Sequence, residues 1–356
     1  MYLYELNIEK MIDNRKQQVI DFIKTNGQSS SKEIFDGIGE TFSYATLKRI
    51  LTDLKANDYL LVKGQGKGTK YLLSPAYELI SPINIEKYYQ KEIDERQIIE
   101  NFNSDVITKV FKNYNSFTES ELDKLDLLQK EYTKNISELS QSEYKKELER
   151  LAIDLSWKSS QIEGNTYTLL ETERLLKEKE TASGKTKEEA VMLLNHKDAL
   201  DFIIEHDDYL NLLTVPKIED IHSILTKELA VERNLRKRRV GISGTNYKPL
   251  DNEFQILEAL RNTCNVINAK DSIFEKALLA LVLISYIQPF MDGNKRTARI
   301  VSNAILMNHA YCPLSFRTVD SIDYKKAMLL FYEQNNISNF KEIFINQFEF
   351  AVKTYF

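Results

Sequence analysis

The chain has 356 residues, of which 42% are hydrophobic and 28% charged, with a net charge of −5. That length suits two domains better than one, and the composition is that of a soluble globular protein with core enough to fold. The acidic balance excludes a chain that coats nucleic acid along its whole length, although local patches can differ. Cys264 and Cys312 stand far apart and offer neither a zinc spacing nor a disulfide framework, so a reducing, cytoplasmic setting is expected. His196, His206, His222 and His309 show no metal-ligand spacing and read as core or surface histidines. Met1-Tyr2-Leu3-Tyr4-Glu5 has no basic-then-apolar pattern, so no signal peptide is expected. The longest apolar run, Ala277 to Ile287, is interrupted by Ser285 and falls short of the ~20 residues that span a bilayer. A buried core helix and no membrane partner are expected.

Residues 1–74 read as a small separate unit, with elements from about residue 12. Val19, Ile20, Phe22 and Ile23 form the apolar stripe of a first helix that stops near Asn26-Gly27. Ser30 and Glu33 look like the cap and first-turn acid of a short second helix through Ile34 and Phe35. Ser43 caps a third, with Leu47, Ile50, Leu51 and Leu54 at helical spacing. Tyr59–Val62 and Tyr71–Leu73 read as two strands joined by the Gly-rich tip Lys63–Lys70. Three helices and a hairpin outline a winged helix-turn-helix. From Ser43 to Lys70 there are six basic residues against two acidic ones, a local net of +4. Lys48, Arg49, Lys63, Lys67 and Lys70 are the candidate DNA contacts on the third helix and wing. A protein-docking module is the alternative. The glycines form no dinucleotide fingerprint, because a strand follows them.

Residues 75–115 read as a helical connector in which Pro75 and Pro82 break any helix and Lys87 to Arg96 forms a charged surface or bracing helix. From 116 to 356 the pattern is helix after helix, with stripes at Leu148–Leu155, Ala190–Ile204, Val215–Leu229, Ile256–Ile267, Ile273–Tyr286, Thr297–His309, Tyr324–Tyr332 and Phe340–Tyr355. Val240 to Tyr247 alone reads as extended, running into a Tyr247-Lys248-Pro249 turn. The fold class is mainly α: a helical bundle with one small flap behind the N-terminal unit.

The densest chemistry lies at Gln288-Pro289-Phe290-Met291-Asp292-Gly293-Asn294-Lys295-Arg296-Thr297-Ala298-Arg299. A helix apolar nearly all round feeds into it and Pro289 ends that helix. Gly293 permits a turn closed to other residues. A new helix starts near Lys295, so its free amides, its dipole and Arg296 make an anion site. Asp292 suits Mg²⁺, which takes carboxylate and phosphate oxygens. Arg299 lies one turn beyond Arg296 and can hold a further phosphate. Mg²⁺ and ATP fit this set. The basic run Arg233–Arg239 could steer ATP or an acidic target, or simply face solvent or DNA.

The segment resembles the signature of the Fic family, His-x-Phe-x-(Asp/Glu)-Gly-Asn-Gly-Arg-x-x-Arg. Phe290, Asp292, Gly293, Asn294, Arg296 and Arg299 match it, while Gln288 replaces the histidine and Lys295 the second glycine. Ser159 to Asn165, with Ser159, Glu163 and Gly164 at the matching places, resembles the family's inhibitory motif (Ser/Thr)-x-x-x-Glu-(Gly/Asn). Val240 to Pro249 resembles the flap that pairs with a target's backbone. The resemblance covers roughly residues 85–350 and implies a helical-bundle core over 116–356, inhibitory helix included. It implies a protein adenylyltransferase that moves AMP from ATP onto a Ser, Thr or Tyr hydroxyl of a protein target or of itself. Asp292 would hold Mg²⁺; Gly293, Asn294, Lys295 and Arg296 would line the phosphate cradle; Arg299 would hold the γ-phosphate. Glu163 would pair bidentately with Arg299 and block it. Ile242, Ser243, Gly244 and Thr245 would present an edge strand to the target.

Gln288 changes the expected chemistry. The histidine takes the target hydroxyl's proton, help worth typically 10²–10⁴-fold, and an amide cannot accept that proton. Weak AMP transfer is therefore expected. The alternatives are a non-catalytic, ATP-sensing DNA-binding regulator, and a phosphotransfer like that of the Doc branch, whose Lys-Arg pair Lys295-Arg296 resembles. A homodimer is an open alternative.

Overall fold

The computed structural model describes residues 14–39, 41–206 and 208–356. The Met1–Glu5 segment and the beginning of the 1–74 unit lie outside the described residues. Helix α1 (Asn14–Asn26) buries Val19, Ile20 and Ile23. Helix α2 (Ser31–Gly37) starts in a capping box in which Ser30 and Glu33 satisfy each other's backbone amides. Helix α3 (Tyr44–Ala56), capped by Ser43, buries Leu47, Ile50, Leu51 and Leu54. Strands β1 (Leu60–Lys63) and β2 (Lys70–Leu73) pair antiparallel, with Leu60 opposite Leu73 and Lys63 opposite Lys70. Ser29, before α2, bridges to Tyr71 on β2 through two backbone hydrogen bonds of 2.9 and 2.7 Å. Its apolar residues run into the rest of the core through Tyr59, whose ring meets Tyr77 edge-on at 5.6 Å.

The connector departs from expectation. Pro75 opens a helix, α4 (Pro75–Ile80), instead of breaking one. It sits at the first position, where a missing amide hydrogen costs nothing and the fixed φ helps. The charged helix expected over Lys87–Arg96 is only one turn, α5 (Ile85–Tyr88), and a short 3-10 turn at Ile93–Glu95. Side-chain anchors draw this stretch off a helical path. The Tyr88 hydroxyl donates to Glu333 at 2.7 Å and the Tyr89 hydroxyl to the Lys326 carbonyl at 2.8 Å. Arg96 pairs with Glu333 at 3.3 Å, both side chains being almost wholly buried. The segment thus braces the body, as a coil. A π-helical turn follows at Val106–Phe111.

The body contains α6 (Glu119–Glu138), α7 (Gln141–Ile162), α8 (Leu169–Glu178), α9 (Lys187–Glu205), α10 (Val215–Leu225), α11 (Glu253–Ala269), α12 (Ile273–Ile287), α13 (Asn294–Asn308), α14 (Ser321–Gln334) and α15 (Ser338–Tyr355). Thr118, Ser140, Thr168 and Thr186 each begin a helix with a glutamate three residues on, and all four close capping boxes. Helix α12 is the axis: every residue from Ala277 to Ile287 is buried. Helix α13 packs antiparallel to it after the 288–293 turn, and α10, α9, α7 and α14 close the sides. Among the described residues, no helix is long and apolar enough to cross a membrane.

The flap has no ladder of its own. Ser243-Gly244 turns, Gly244 having φ +91°, and Arg96 holds the Gly244 carbonyl at 2.9 Å. The segment's one bridge is parallel, Lys248 to Asn101. Ile242 to Thr245 are therefore an irregular turn rather than a strand, because the glycine's left-handed backbone interrupts the alternation.

The basic run also divides. Lys237, Arg238 and Arg239 stay outside and pair with Glu253, Glu232 and Asp251 at 3.5, 3.7 and 3.2 Å. Arg236 is fully buried. Its Nε donates to the Gln288 carbonyl at 2.6 Å, Nη2 to Ile287 at 3.4 Å and Nη1 to Arg238 at 2.8 Å. Its charge faces the C-terminal carbonyls of α12, which favour a cation. It pins the start of the loop and steers nothing. Replacing Arg236 with Met leaves those buried carbonyls unpaired, so a loss of roughly 2–4 kcal/mol in urea denaturation is expected. Arg236→Lys should recover less than half of it, since one ammonium cannot serve carbonyls in a planar fork.

Candidate functional site

The loop between α12 and α13 is built from backbone constraints. Gln288 ends α12 in the left-handed region, φ 51° and ψ 60°. Gly293 precedes α13 with φ +82°. A Cβ there would lie 3.3 Å from Thr226 Cγ2 and 3.4 Å from the His222 ring, so close packing and φ both call for glycine. The Asn294 side chain ties the turn together. It accepts from the Phe290 amide at 2.8 Å and donates to the Phe290 carbonyl at 2.9 Å and to Gln288 Oε1 at 3.1 Å. The first amides of α13, which have no partner within the helix, face the turn.

Gln288, at the position expected to be catalytic, is fully engaged. Besides accepting from Asn294, its Nε2 donates to the Ser285 carbonyl at 2.6 Å and lies 3.4 Å from the Tyr332 hydroxyl. Tyr332 donates to the same carbonyl at 2.7 Å, and burial holds its pKa well above the usual phenol value. Neither group is a base near neutral pH.

Glu163, at the end of α7, reaches into the site. Its Oε1 accepts from Arg299 Nη2 at 2.8 Å and its Oε2 pairs with Lys295 Nζ at 3.2 Å. The expected bidentate pair to Arg299 is thus a shared one: Lys295, sited where the family has glycine, takes the second oxygen. Arg299 is fully buried, and spends its remaining bonds on Ser159, with Nε to the hydroxyl at 2.7 Å and Nη2 to the carbonyl at 2.9 Å. The Tyr324 ring lies 5.3 Å under the guanidinium. Burial raises the Glu163 pKa, but the Arg299 and Lys295 charges outweigh it and hold the carboxyl down at about 2. Gly164, φ +102°, turns the chain away just after α7.

Arg296 is buried and its Nη2 meets Asp292 at 2.8 Å, while the Asp292 side chain is 64% exposed at the mouth. Arg296 Nε and Nη1 are buried without a hydrogen-bond partner among the described residues. Among the described residues no group of three metal-ligating side chains exists. The exposed Asp292 carboxylate, one oxygen of which Arg296 holds, would suit a Mg²⁺ ion that arrives on phosphates, since Mg²⁺ takes one or two carboxylates and fills the rest with water and phosphate.

In front of these groups lies a cleft of about 350 Å³, within the range of small-molecule sites. Glu163, Gln288, Asp292, Asn294 and Lys295 form its polar side, with Ile242 and Ser243 of the flap opposite. Arg296, Arg299 and Ser159 lie buried behind this wall. Gly244 and Thr245 do not line it. Lys48, Arg49, Lys63, Lys67 and Lys70 sit on the N-terminal elements α3, β1, β2 and the turn between the strands, and none of them lines this cleft.

Three features escaped the sequence reading. Met328, Leu329 and Lys325 of α14 complete the cleft. Arg236 carried no local signal within its basic run. His222, thought to be an ordinary core or surface histidine, stacks flat on Phe290 with ring centroids 3.6 Å apart, and its Nε2 meets the Asp292 carbonyl at 3.0 Å. It supports the loop from behind.

Burial lowers the His222 pKa to about 4. The unfolded chain protonates it near 6.5. The unfolded state therefore binds more protons, and stability falls as pH drops from about 6.5 to 4, by up to ~3 kcal/mol. His196, also held low by burial and by Arg299 and Arg296, acts in the same direction. His222→Phe keeps the stack and removes one titration. Denaturation midpoints between pH 6.5 and 4 should then vary with a slope about one proton shallower; an unchanged slope would contradict the assignment.

Comparison with known proteins agrees with this geometry. Residues 212–306 match the family model described as Fic/DOC family. A "Protein adenylyltransferase Fic" of Nematostella vectensis is 32% identical over 198 residues, 52% of this chain and 43% of that protein. "Protein adenylyltransferase fic-1" of Caenorhabditis elegans is 27% identical over 178 residues, 47% of this chain and 34% of that protein. The chain thus spans less than half the length of these curated relatives. Among solved structures, a fragment of C. elegans Fic-1 superposes with a TM-score of 0.54 at 18% identity, covering 66% of this chain and 71% of that one. A Fic-domain signaling protein of Bacteroides thetaiotaomicron gives 0.55 at 18%, covering 65% and 94%. These likenesses establish the mainly-α Fic fold, and within it residues 212–306 form the segment that matches the Fic/DOC family model.

Proposed function

We propose that the 288–299 loop binds Mg²⁺-ATP and that the chain transfers AMP to a protein hydroxyl, its own or a target's, at a rate held down twice. The carrying observation is Glu163 seated between Arg299 and Lys295. A carboxylate there occupies the donors a triphosphate needs, so the closed site is autoinhibited. The unpaired Arg296 donors and the N-terminus of α13 favour an anion of high charge. Asp292 would hold the Mg²⁺, which shields phosphate charge when it is bound. The relatives' names, protein adenylyltransferases, support AMP as the transferred group.

The second restraint is Gln288. Its amide cannot take a proton, and His222 cannot replace it, because its Nε2 is spent on the Asp292 carbonyl and its ring is buried. The absent base accounts for a factor of about 10²–10⁴. Positioning and charge stabilisation remain. The engaged Gln288 side chain also favours a second reading, in which the site binds nucleotide without chemistry and reports occupancy elsewhere in the chain. Phosphotransfer in the Doc manner draws less support: Lys295, its motivating residue, is committed to Glu163.

Incubation with α-³²P-labelled ATP separates these readings. Glu163→Gly should raise self-labelling at least tenfold, and Gln288→His in the same background should raise it by a further 10²–10⁴-fold. No label in the double variant would overturn AMP transfer and leave the binding-only reading. Label from γ-³²P instead would point to phosphotransfer.

A further inference from the structure

We propose that the exposed face of α3 and the β1–β2 tip form a site for duplex DNA, a function separate from the nucleotide loop. The exposed positions of α3 are Tyr44, Ala45, Lys48, Arg49, Thr52, Lys55 and Ala56, on the side opposite its buried leucines. Its only acid is Asp53, and that charge is taken up by Lys16 at 2.7 Å. Glu33, the nearest acid of α2, is held by the Ser30 amide at 2.6 Å and by Lys70 at 3.9 Å. Among the described residues no carboxylate pairs with Lys48, Arg49, Lys55, Lys63 or Lys67. Asp53 and Glu33 are internally satisfied, and beside the one exposed acid that follows α3, Asp58, five cations free of carboxylates leave a surface complementary to phosphate. An ordinary solvated face mixes the two signs.

Geometry adds a second, independent reason. A helix with side chains is ~10–12 Å across, which fits the ~12 Å major groove. The hairpin stands at a fixed distance from α3, because Ser29 is bonded to β2 at Tyr71 and Tyr59 leads straight from α3 into β1. Its tip is shaped for close approach. Gly64 has φ +79° and a Cβ there would lie 2.4 Å from the Gly68 carbonyl, while Gly66 and Gly68 have open space around them. Lys63 and Lys67 flank this bare backbone, both exposed. At the other end, Lys48 is aimed by a 2.9 Å hydrogen bond to Ser31 and by the Tyr44 ring 5.5 Å away. With α3 in the major groove, Lys48, Arg49 and Lys55 meet the flanking phosphates and the tip meets the backbone of the next groove. Tyr44 and Thr52 are the side chains left to touch base edges.

The test uses the full chain and a fluorescein-labelled, mixed-sequence duplex of about 25 base pairs, read by anisotropy at several salt concentrations. Five phosphate contacts predict a slope of log K against log salt of roughly −4 to −5. Arg49→Glu with Lys67→Glu should weaken binding at least tenfold and flatten the slope by about 2. Lys145→Glu with Lys146→Glu, an equal charge change on exposed positions of α7, should alter binding less than twofold. Should the first pair fail to fold by circular dichroism, Lys63→Gln with Lys67→Gln at the exposed tip reads the same contact, with at least a threefold loss expected. No duplex binding at low salt, equal losses in the α3 and α7 variants, or tighter binding to a single-stranded RNA of the same length would each overturn the proposal. Mg²⁺-ATP affinity of the variants separates this outcome from failure of the nucleotide site, since the contacts are not shared.

Discussion

The site depends on how the buried guanidinium of Arg299 is satisfied. A fully buried cation needs acceptors fixed in place, because desolvation is costly when no partner answers it. Ser159 supplies two, through its hydroxyl and carbonyl, and these belong to the rigid body of α7. The third comes from Glu163, one turn further on, where α7 ends and Gly164 turns the chain. The permanent partners and the replaceable one are thus on the same helix. On the proposed reading an incoming phosphate would compete only with the last, so that the helix would keep its grip on Arg299 while its terminal carboxylate is displaced. Lys295 makes that displacement harder, since the leaving carboxylate gives up two cations, but it also brings a second cation to whatever anion replaces it.

The apolar helix α12 converts this local contact into a fixed site. Its end is a point where backbone direction, hydrogen bonding and charge all have to be resolved without water. Arg236 resolves the charge of the carbonyls, Gln288 adopts the left-handed turn, and Asn294 binds the two sides of the loop. A glutamine at position 288 is well suited to that job: it accepts from Asn294 and donates to Ser285 at once. The residue that stands where the resemblance expects a histidine thus ties the loop together.

Much of this was legible in the chain. The Ser30–Glu33 capping box announced the start of α2, and the apolar run 277–287, interrupted only by Ser285, announced a buried core helix. Glu163 was legible because its neighbours matched a motif whose physical logic is a carboxylate on an arginine. What was not legible depended on long-range contacts. Pro75 looked like a breaker because only the structure shows whether a proline begins a helix or interrupts one. Lys87–Arg96 looked helical because its local propensity is good, while the pull came from Glu333 and Lys326, some 240 residues away. Arg236 was hidden among surface cations identical to it in composition, and His222 meets Phe290 only in three dimensions. The flap's alternation gave way to one glycine whose carbonyl Arg96 holds.

On the proposed reading Glu163 and a triphosphate compete for Arg299 and Lys295. Calorimetric titration of the chain and of its Glu163→Gly variant with Mg²⁺-ATP and with AMP tests it most directly. The variant should bind Mg²⁺-ATP at least tenfold more tightly, about 1.4 kcal/mol, with AMP affinity unchanged, because AMP lacks the phosphates that reach those two cations. Equal Mg²⁺-ATP affinities in the two proteins, or a parallel gain for AMP, would contradict it.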